Sequence, residues 1–464
     1  MPTREVSPSA PTLDLEDIQG GILRQRPMPY TGAYFILSVE DEEQGRAMLA
    51  KLLPHVASAT QWWDPPSDAW ISVGLSHTGL AALGLPDQML ASFAPEFRQG
   101  MSARASHLGD TGTSAPAQWE APFGTGRTHV AIAVFARDED CLNAQIALAE
   151  KARAGLPHVS VAFELRTPAL SSGRTHLGFV DGIGEPIIEG SGLVSSVGQD
   201  RDHYGYLPGF GRPVKAGEFL LGHTNELDRL PDCPSPDILG RNGTYASFRK
   251  LYVDVAAFRR FLAENSTSAT EGEALAAKMV GRWPSGAPVE VTPDADDPEL
   301  ASDPHRVNDF VYKADPVGFR CPLGAHIRRM NPRDGLSESS TDVQLHRILR
   351  RGATYGPALA EGITDDDGAD RGIVFLFIGA DIGRQFEFVK SQWTNDGDFA
   401  GLGTEQDPIV GAQDHEATFT IPRRPVRRRL HGLPRFVRTC GGEYLFVPSI
   451  SALAWLAEGG YQKA

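Results

Sequence analysis

Asp181 sits in the stretch GFVDGIGEP, residues 178–186, with an apolar pair before it, glycines soon after it and a proline closing the segment. Such a run turns the backbone sharply where the charge is placed. A carboxylate there can hydrogen-bond its own turn, or it can move protons. The second chemical stretch is CPLGAHIRRMNPRD, residues 321–334, followed by LHRILRRGATYG, residues 345–356. His326 has Arg328, Arg329 and Arg333 close behind it. An imidazole flanked by cations resists protonation and keeps a lone pair for a metal or a haem iron. The arginines suit carboxylates such as propionates. A packed histidine beside a solvated basic face is the competing reading of the same residues. Cys321, just upstream, reads more simply as a buried inert thiol than as a thiolate ligand.

The rest of the chain limits what these groups can serve. With 59 acidic against 44 basic side chains the formal charge is -15, which argues against duplex DNA and anionic membranes as partners. The basic run PRRPVRRRL, residues 422–430, is interrupted by prolines, Val426 and Leu430, and reads as a strand edge or loop. Cys141, Cys233, Cys321 and Cys440 are far apart and form no CxxC pair, so reduced thiols are expected. The N-terminus shows no apolar signal region, and the longest apolar stretch, around Ile373 to Ala380, is too short to span a bilayer. A soluble, cytoplasmic protein is the expectation.

Four segments must carry these groups. Each is a β-rich apolar run, then an acidic residue in cap position, then a helix-period stretch. They begin at Ala33, His129, Tyr245 and Ile373, and in the last of them Ile382, Phe386, Val389 and Trp393 share one helical face. Two strand-helix units make one split βαβ arrangement. The expected fold is therefore α+β, with two ferredoxin-like domains at 13–210 and 211–464 behind a disordered tail at 1–12. A Gly- and Pro-rich linker, DRDHYGYLPGFGRPVKAGE, lies at the division. The irregular stretch from Trp283 to Phe310 is too long for an ordinary connection and is expected to serve a site.

RTHLGFVDG, GEFLLGHTNE at 217–226, KMVGRWPSGAPV at 278–289, CPLGAHIRRMNPR and RILRRGATYG, in this order, resemble the dye-decolorizing (DyP-type) haem peroxidases, and most closely their longer, fungal-like class. The likeness runs from DIQGGIL, at Asp17, to SISALAWL near the end. It implies haem b (iron protoporphyrin IX) in the C-terminal domain, with His326 as the axial iron ligand, Asp181 as the distal acid and base, and Arg350 as the distal cation. Arg347 and Arg351 compete with Arg350 for that place. His176 and Arg329 are the candidates for the haem propionates. Thr354 stands where the family often has proline, a change from which little is expected. The implied partners are hydrogen peroxide and aromatic reducing substrates, with no nucleic acid and no membrane, and the chain acting as a monomer or homodimer.

A carboxylate, titrating near ~3.9, remains a base in acid where an imidazole, near ~6.5, is already protonated, so an acidic activity optimum is expected. His326 needs an acceptor for its second ring N–H. Asp381 and Glu387 are at hand, but the first reads as a helix cap and the second as a solvated side chain. Tyr355 and Trp393 are the relay candidates for donors too bulky to enter, with ordinary packing the simpler account of both. Two rival functions share the residues. One is haem storage, delivery or sensing, which needs His326 but not Asp181 together with Arg350. The other is a haem-free hydrolase using Asp181 and Glu185 as paired carboxylates.

Overall fold

The computed structural model describes residues 12–24, 30–62, 68–192, 213–336, 341–413 and 416–462. The tail at 1–12, apart from Thr12, and the division near residue 210 lie outside them. Each of the four segments forms the strand expected of it, and each acidic cap is in place. Strand β1 (Thr31–Val39) leads to helix α1 (Glu42–Leu52), where Asp41 accepts from the Gln44 amide at 2.9 Å. After β2 (Ala69–Leu75), β3 (Val130–Ala136) leads to α2 (Glu139–Arg153), with Asp138 on the Cys141 amide at 2.8 Å. Strand β4 is Val159–Arg166, and β5 (Thr244–Val253) leads to α3 (Val255–Glu264) through Asp254, which accepts from Ala257 at 2.8 Å. After α4 (Ala269–Val280), the short α5 (His326–Met330) and β6 (Leu349–Tyr355), β7 (Gly372–Gly379) ends at Asp381, which accepts from the Arg384 amide at 2.8 Å. Each such cap satisfies a helix-end donor and contributes about 1 kcal/mol.

The fourth helix differs from its expectation. Residues Gly383–Glu387 and Val389–Thr394 are π-helical, not α-helical. Ile382, Phe386, Val389 and Trp393 are still all buried. The wider turn, however, also carries Glu387 inward.

Strands β8 (Thr418–Ile421) and β9 (Arg428–His431) form a separate hairpin, so the basic run is strand and turn as expected. The last strand, β10 (Val437–Val447), joins the main sheet, whose order is β4-β1-β3-β2-β10-β5-β7-β6. Numbered within each half, both halves read 4-1-3-2 and are antiparallel throughout, which is the ferredoxin-like order. Leu75 of β2 opposite Phe446 of β10 joins the halves into one sheet. One face of the two halves shares an apolar core, with Tyr34 of β1 edge-on to Phe248 of β5 at 5.7 Å between ring centres. By the two-residue period of a strand, Arg249, Leu251 and Val253 of β5 and Ile373, Phe375 and Phe377 of β7 project from the opposite face, where they line a cavity. Helix α4 ends at Gly281, whose φ of 91° suits glycine and whose added Cβ would meet Ile327 Cγ1 at 2.5 Å. This close approach sets α5, and with it His326, against that cavity.

Among the described residues no helix is long and apolar enough to cross a membrane, and the four cysteines are free thiols. Buried Glu443 of β10 is pushed up to about 7 by burial, against the amides of Met101 and Tyr444 that favour its anion. An unfolded glutamate titrates near ~4.3, so the native state holds the extra proton between the two values and stability falls as pH rises through that window. Glu443→Gln keeps the oxygen that both amides use. It is expected to leave the melting temperature nearly unchanged at pH ~4 and to stabilise the protein by about 3 kcal/mol at pH ~8, read by thermal unfolding at both.

Candidate active site

The cavity, about 330 Å³, is walled by the sheet residues named above, by Val389 and Lys390 of the π-helical segment, and by the loop holding Ile409 and Val410. A volume in this range suits a small organic ligand or cofactor. Asp181, His326, Arg350 and His176 all line it. Gly178 and Gly182 take φ values of 89° and 83°, so the turn around Asp181 depends on glycine as its sequence suggested.

Asp181 Oδ1 accepts from the Gly182 amide at 2.7 Å and lies 3.3 Å from Arg350 Nη1. Arg350 is gripped from behind. Its backbone N–H and Nε donate to the two oxygens of buried Glu185, at 3.0 and 3.1 Å, and Arg351 Nη1 reaches the same carboxylate at 3.4 Å. Burial disfavours the charge on Arg350, but Asp181 and Glu185 outweigh it and the guanidinium titrates above its ordinary value. The neighbouring arginines take different directions. Arg351 points to the other side of β6 and donates to the Gly21 and Ile22 carbonyls. Arg347 lines the cavity and donates to the Gly184 carbonyl, leaving Arg350 as the cation beside Asp181. Glu185, with both oxygens committed to arginine, is not the second member of a hydrolytic carboxylate pair.

His326 opens α5, and its Nδ1 lies 2.9 Å from Asp407 Oδ2. Asp407 is fully buried, and its other oxygen accepts from the amides of Ile409 and Val410 at 2.8 and 2.9 Å. Burial would push this carboxyl up, yet His326 and the two amides hold it below its ordinary value. An ionised acceptor fixes the imidazole proton on Nδ1 and leaves the Nε2 lone pair for the cavity. Asp407 takes the part for which Asp381 and Glu387 were considered. Asp381 is the cap it was expected to be. Glu387 is a correction: it is 1% exposed, ion-paired with Arg104, and it accepts from the Tyr444 hydroxyl at 2.7 Å.

Burial corrects the expectation for Arg329 and agrees with the simpler readings of Tyr355, Trp393 and Cys321. Arg329 is not on the cavity; its guanidinium donates to the carbonyls of Trp393, Asp396 and Glu405 and stacks 4.8 Å from the Phe399 ring centre. It ties α5 to the segments preceding Asp407. Arg329→Met is expected to destabilise the fold by about 3 kcal/mol, because buried carbonyls lose their donor, without altering a bound cofactor's spectrum. Tyr355 and Trp393 are 1% and 4% exposed, so neither is a surface relay. Burial pushes the Cys321 thiol up to about 12, which removes the thiolate. Thr354 donates its backbone N–H to the Tyr30 hydroxyl at 3.2 Å, a bond proline at this position lacks. The long stretch after Trp283 serves the site, as expected, through Asn308 on the cavity wall.

The lining favours a large planar anion. His176 Nε2 is 2.8 Å from the Tyr355 carbonyl, while its Nδ1 is buried without a partner. Burial and the neighbouring Arg333 lower Arg282 to about 9 and Arg347 to about 10, and among the described residues neither has a carboxylate within ion-pairing distance. Buried cations of this kind call for a negative ligand. An apolar cavity with the His326 lone pair turned into it and buried arginines short of anions therefore fits a dicarboxylate porphyrin.

Comparison with known proteins agrees. Residues 17–163 match the family described as the DyP dimeric alpha+beta barrel domain. A dye-decolorizing peroxidase of Mycena epipterygia is 31% identical over 96% of this chain and 87% of its own length, and Peroxidase 2 of Mycetinis scorodonius is 31% identical over 95% and 87%. The solved structure of a dye-decolorizing peroxidase in complex with 2,6-dimethoxyphenol superposes with a TM-score of 0.80 at 30% identity, covering 96% of this chain and 100% of that one. An ancestral D-type dye-decolorizing peroxidase gives a TM-score of 0.80 at 31% identity, covering 96% and 99%. With that identity spread along nearly its whole length, on the same fold, the chain belongs to the dye-decolorizing (DyP-type) peroxidases and is an oxidoreductase of that kind.

Proposed function

We propose that the chain binds haem b through His326 and reduces hydrogen peroxide at the expense of dyes, phenols or other aromatic donors, with Asp181 and Arg350 as the catalytic pair. The observation that carries this reading is the single cavity lined by Asp181 and Arg350, in salt-bridge contact, and by His326 with its free ring nitrogen turned from Asp407. When bound, haem supplies the iron that takes two electrons' worth of oxidation from peroxide and returns it to aromatic donors one electron at a time. Asp181 takes the proton from one peroxide oxygen and delivers it to the other as the O–O bond breaks, so that water departs. Arg350, already charged and fixed by Glu185, stabilises the negative charge that develops on the leaving oxygen. Asp407 holds the imidazole in the tautomer that a ligand needs. Arg347 would meet a propionate, and His176, whose Nε2–H goes to the Tyr355 carbonyl and which burial keeps from charging, would join it only by taking a second proton on Nδ1.

The domain limits, 13–210 and 211–464, belong to the same proposal and are supported by the repeated strand order. A storage or sensing protein needs His326 and Asp407 but has no use for a base held against a guanidinium. The test is an absorption spectrum of the chain supplied with haem, followed by rapid mixing with peroxide. A Soret band that responds to peroxide and recovers with an aromatic donor is expected. No Soret band, or one indifferent to peroxide, overturns the proposal.

A further inference from the structure

The mechanism makes no use of Lys390, a charged residue of the cavity wall. Lys390, on the π-helical segment Val389–Thr394, lines the cavity and donates from Nζ to the Val410 carbonyl at 2.9 Å. Val410 is the residue whose amide donates to Asp407 Oδ1 at 2.9 Å, and Asp407 Oδ2 meets His326 Nδ1 at 2.9 Å. A lysine, a peptide segment, a carboxylate and an imidazole thus follow one another in a line. Among the described residues Lys390 has no carboxylate within ion-pairing distance. The charges that act on it are Asp110, Arg249, Asp407 and Arg435, and Asp110 is already held bidentately by Arg249 at 2.5 and 3.1 Å. The lysine's positive charge is therefore left largely unneutralised beside the His326–Asp407 pair.

We propose that Lys390 is a positioning residue that tunes this pair: its ammonium, held on the Val410 carbonyl, limits how much negative charge Asp407 passes to His326. The proposal rests on the haem reading above. A cation near Asp407 draws density from the carboxylate, so the imidazole is a weaker donor than a His–Asp pair alone would make it. The same charge favours the ferrous over the ferric state, because it repels the additional positive charge of the oxidised iron. Burial lowers Lys390 to about 8, so the ammonium is present at mildly acidic pH. Its π-helical setting is the structural means. Residues Gly383–Glu387 and Val389–Thr394 place Phe386, Val389 and Lys390 together on the cavity wall, and such turns often mark functional positions.

The test compares haem-loaded wild type with Lys390→Met, Lys390→Gln and Lys390→Arg at pH ~6, reading the ferric/ferrous midpoint potential and the iron–imidazole stretch of the ferrous protein by resonance Raman. Both neutral variants are expected to have a more negative potential and a higher stretching frequency, and Lys390→Arg to stay near wild type. Lys390→Met removes a buried charge, so thermal stability is expected to hold; if that variant does not load haem, the glutamine and arginine variants alone carry the comparison. Unchanged potentials in the neutral variants overturn the proposal. So does a potential that moves without the stretch, since that assigns the lysine to the cofactor's own carboxylates. A wild type that binds no haem would instead be a failure of the haem reading, seen before any variant is made.

Discussion

Asp181→Asn is expected to lower the second-order rate constant for reaction with hydrogen peroxide by about 10²–10⁴-fold, the range for losing a positioned acid–base group. Asparagine has nearly the size of aspartate and keeps an oxygen for the Gly182 amide, which the native side chain meets at 2.7 Å. It lacks the capacity to take a proton from one oxygen and give it to another. The haem spectrum is expected to be unchanged, because the proposed iron ligand is His326, which Asp407 supports. Stopped-flow absorbance against peroxide concentration reads the effect directly. A loss smaller than about tenfold would show that another base, or solvent, moves the proton. Wild-type dye oxidation is expected to be fastest in acid, and a rate that peaks near neutrality and collapses below pH ~5 would speak against a carboxylate in this part.

Replacement of Arg350 by leucine is expected to cost about 10²–10³-fold in the same rate constant, comparable to removing one charge-stabilising donor from a preorganised site. The side chain contacts Asp181 at 3.3 Å and Glu185 at 3.1 Å, so two effects must be separated. Glu185 retains Arg351 at 3.4 Å and the residue-350 amide at 3.0 Å, which limits the structural damage. Arg350→Lys keeps the charge but loses the fork that engages both carboxylates. It is expected to fall between wild type and leucine in rate while melting close to wild type. Equal rates for the lysine and leucine variants would mean that geometry, not charge, is what Arg350 contributes.

Much of this arrangement was legible in the chain, for identifiable reasons. Strand alternation and acidic caps are local, and Asp41, Asp138, Asp254 and Asp381 each cap where their position in the pattern placed them. Residues 181, 326 and 350 were marked by motifs and their order, and the fold brings them to one cavity. What escaped was set by distance or by helix type. Asp407 sits 81 residues from His326 in an irregular loop, where nothing in EQDPIVG distinguishes it from an ordinary turn aspartate. Glu387 was misplaced because an α-helical period puts it outward, whereas the π-helical turn brings it to Arg104 and Tyr444. Arg329 carries the charge expected of an anion holder, but its length takes it past the cavity to three carbonyls.

The position of β10 bears on when the site can come into being. Val437 and Thr439 line the cavity from this strand, which pairs with β5 along its length and touches β2 at Phe446. Pairing of such sequence-distant strands is slow and has to wait for both partners. A polypeptide still missing β10 has neither the closed second half-sheet nor that wall of the pocket. A ligand that needs this wall should therefore be held only after β10 has been made and has paired with β5.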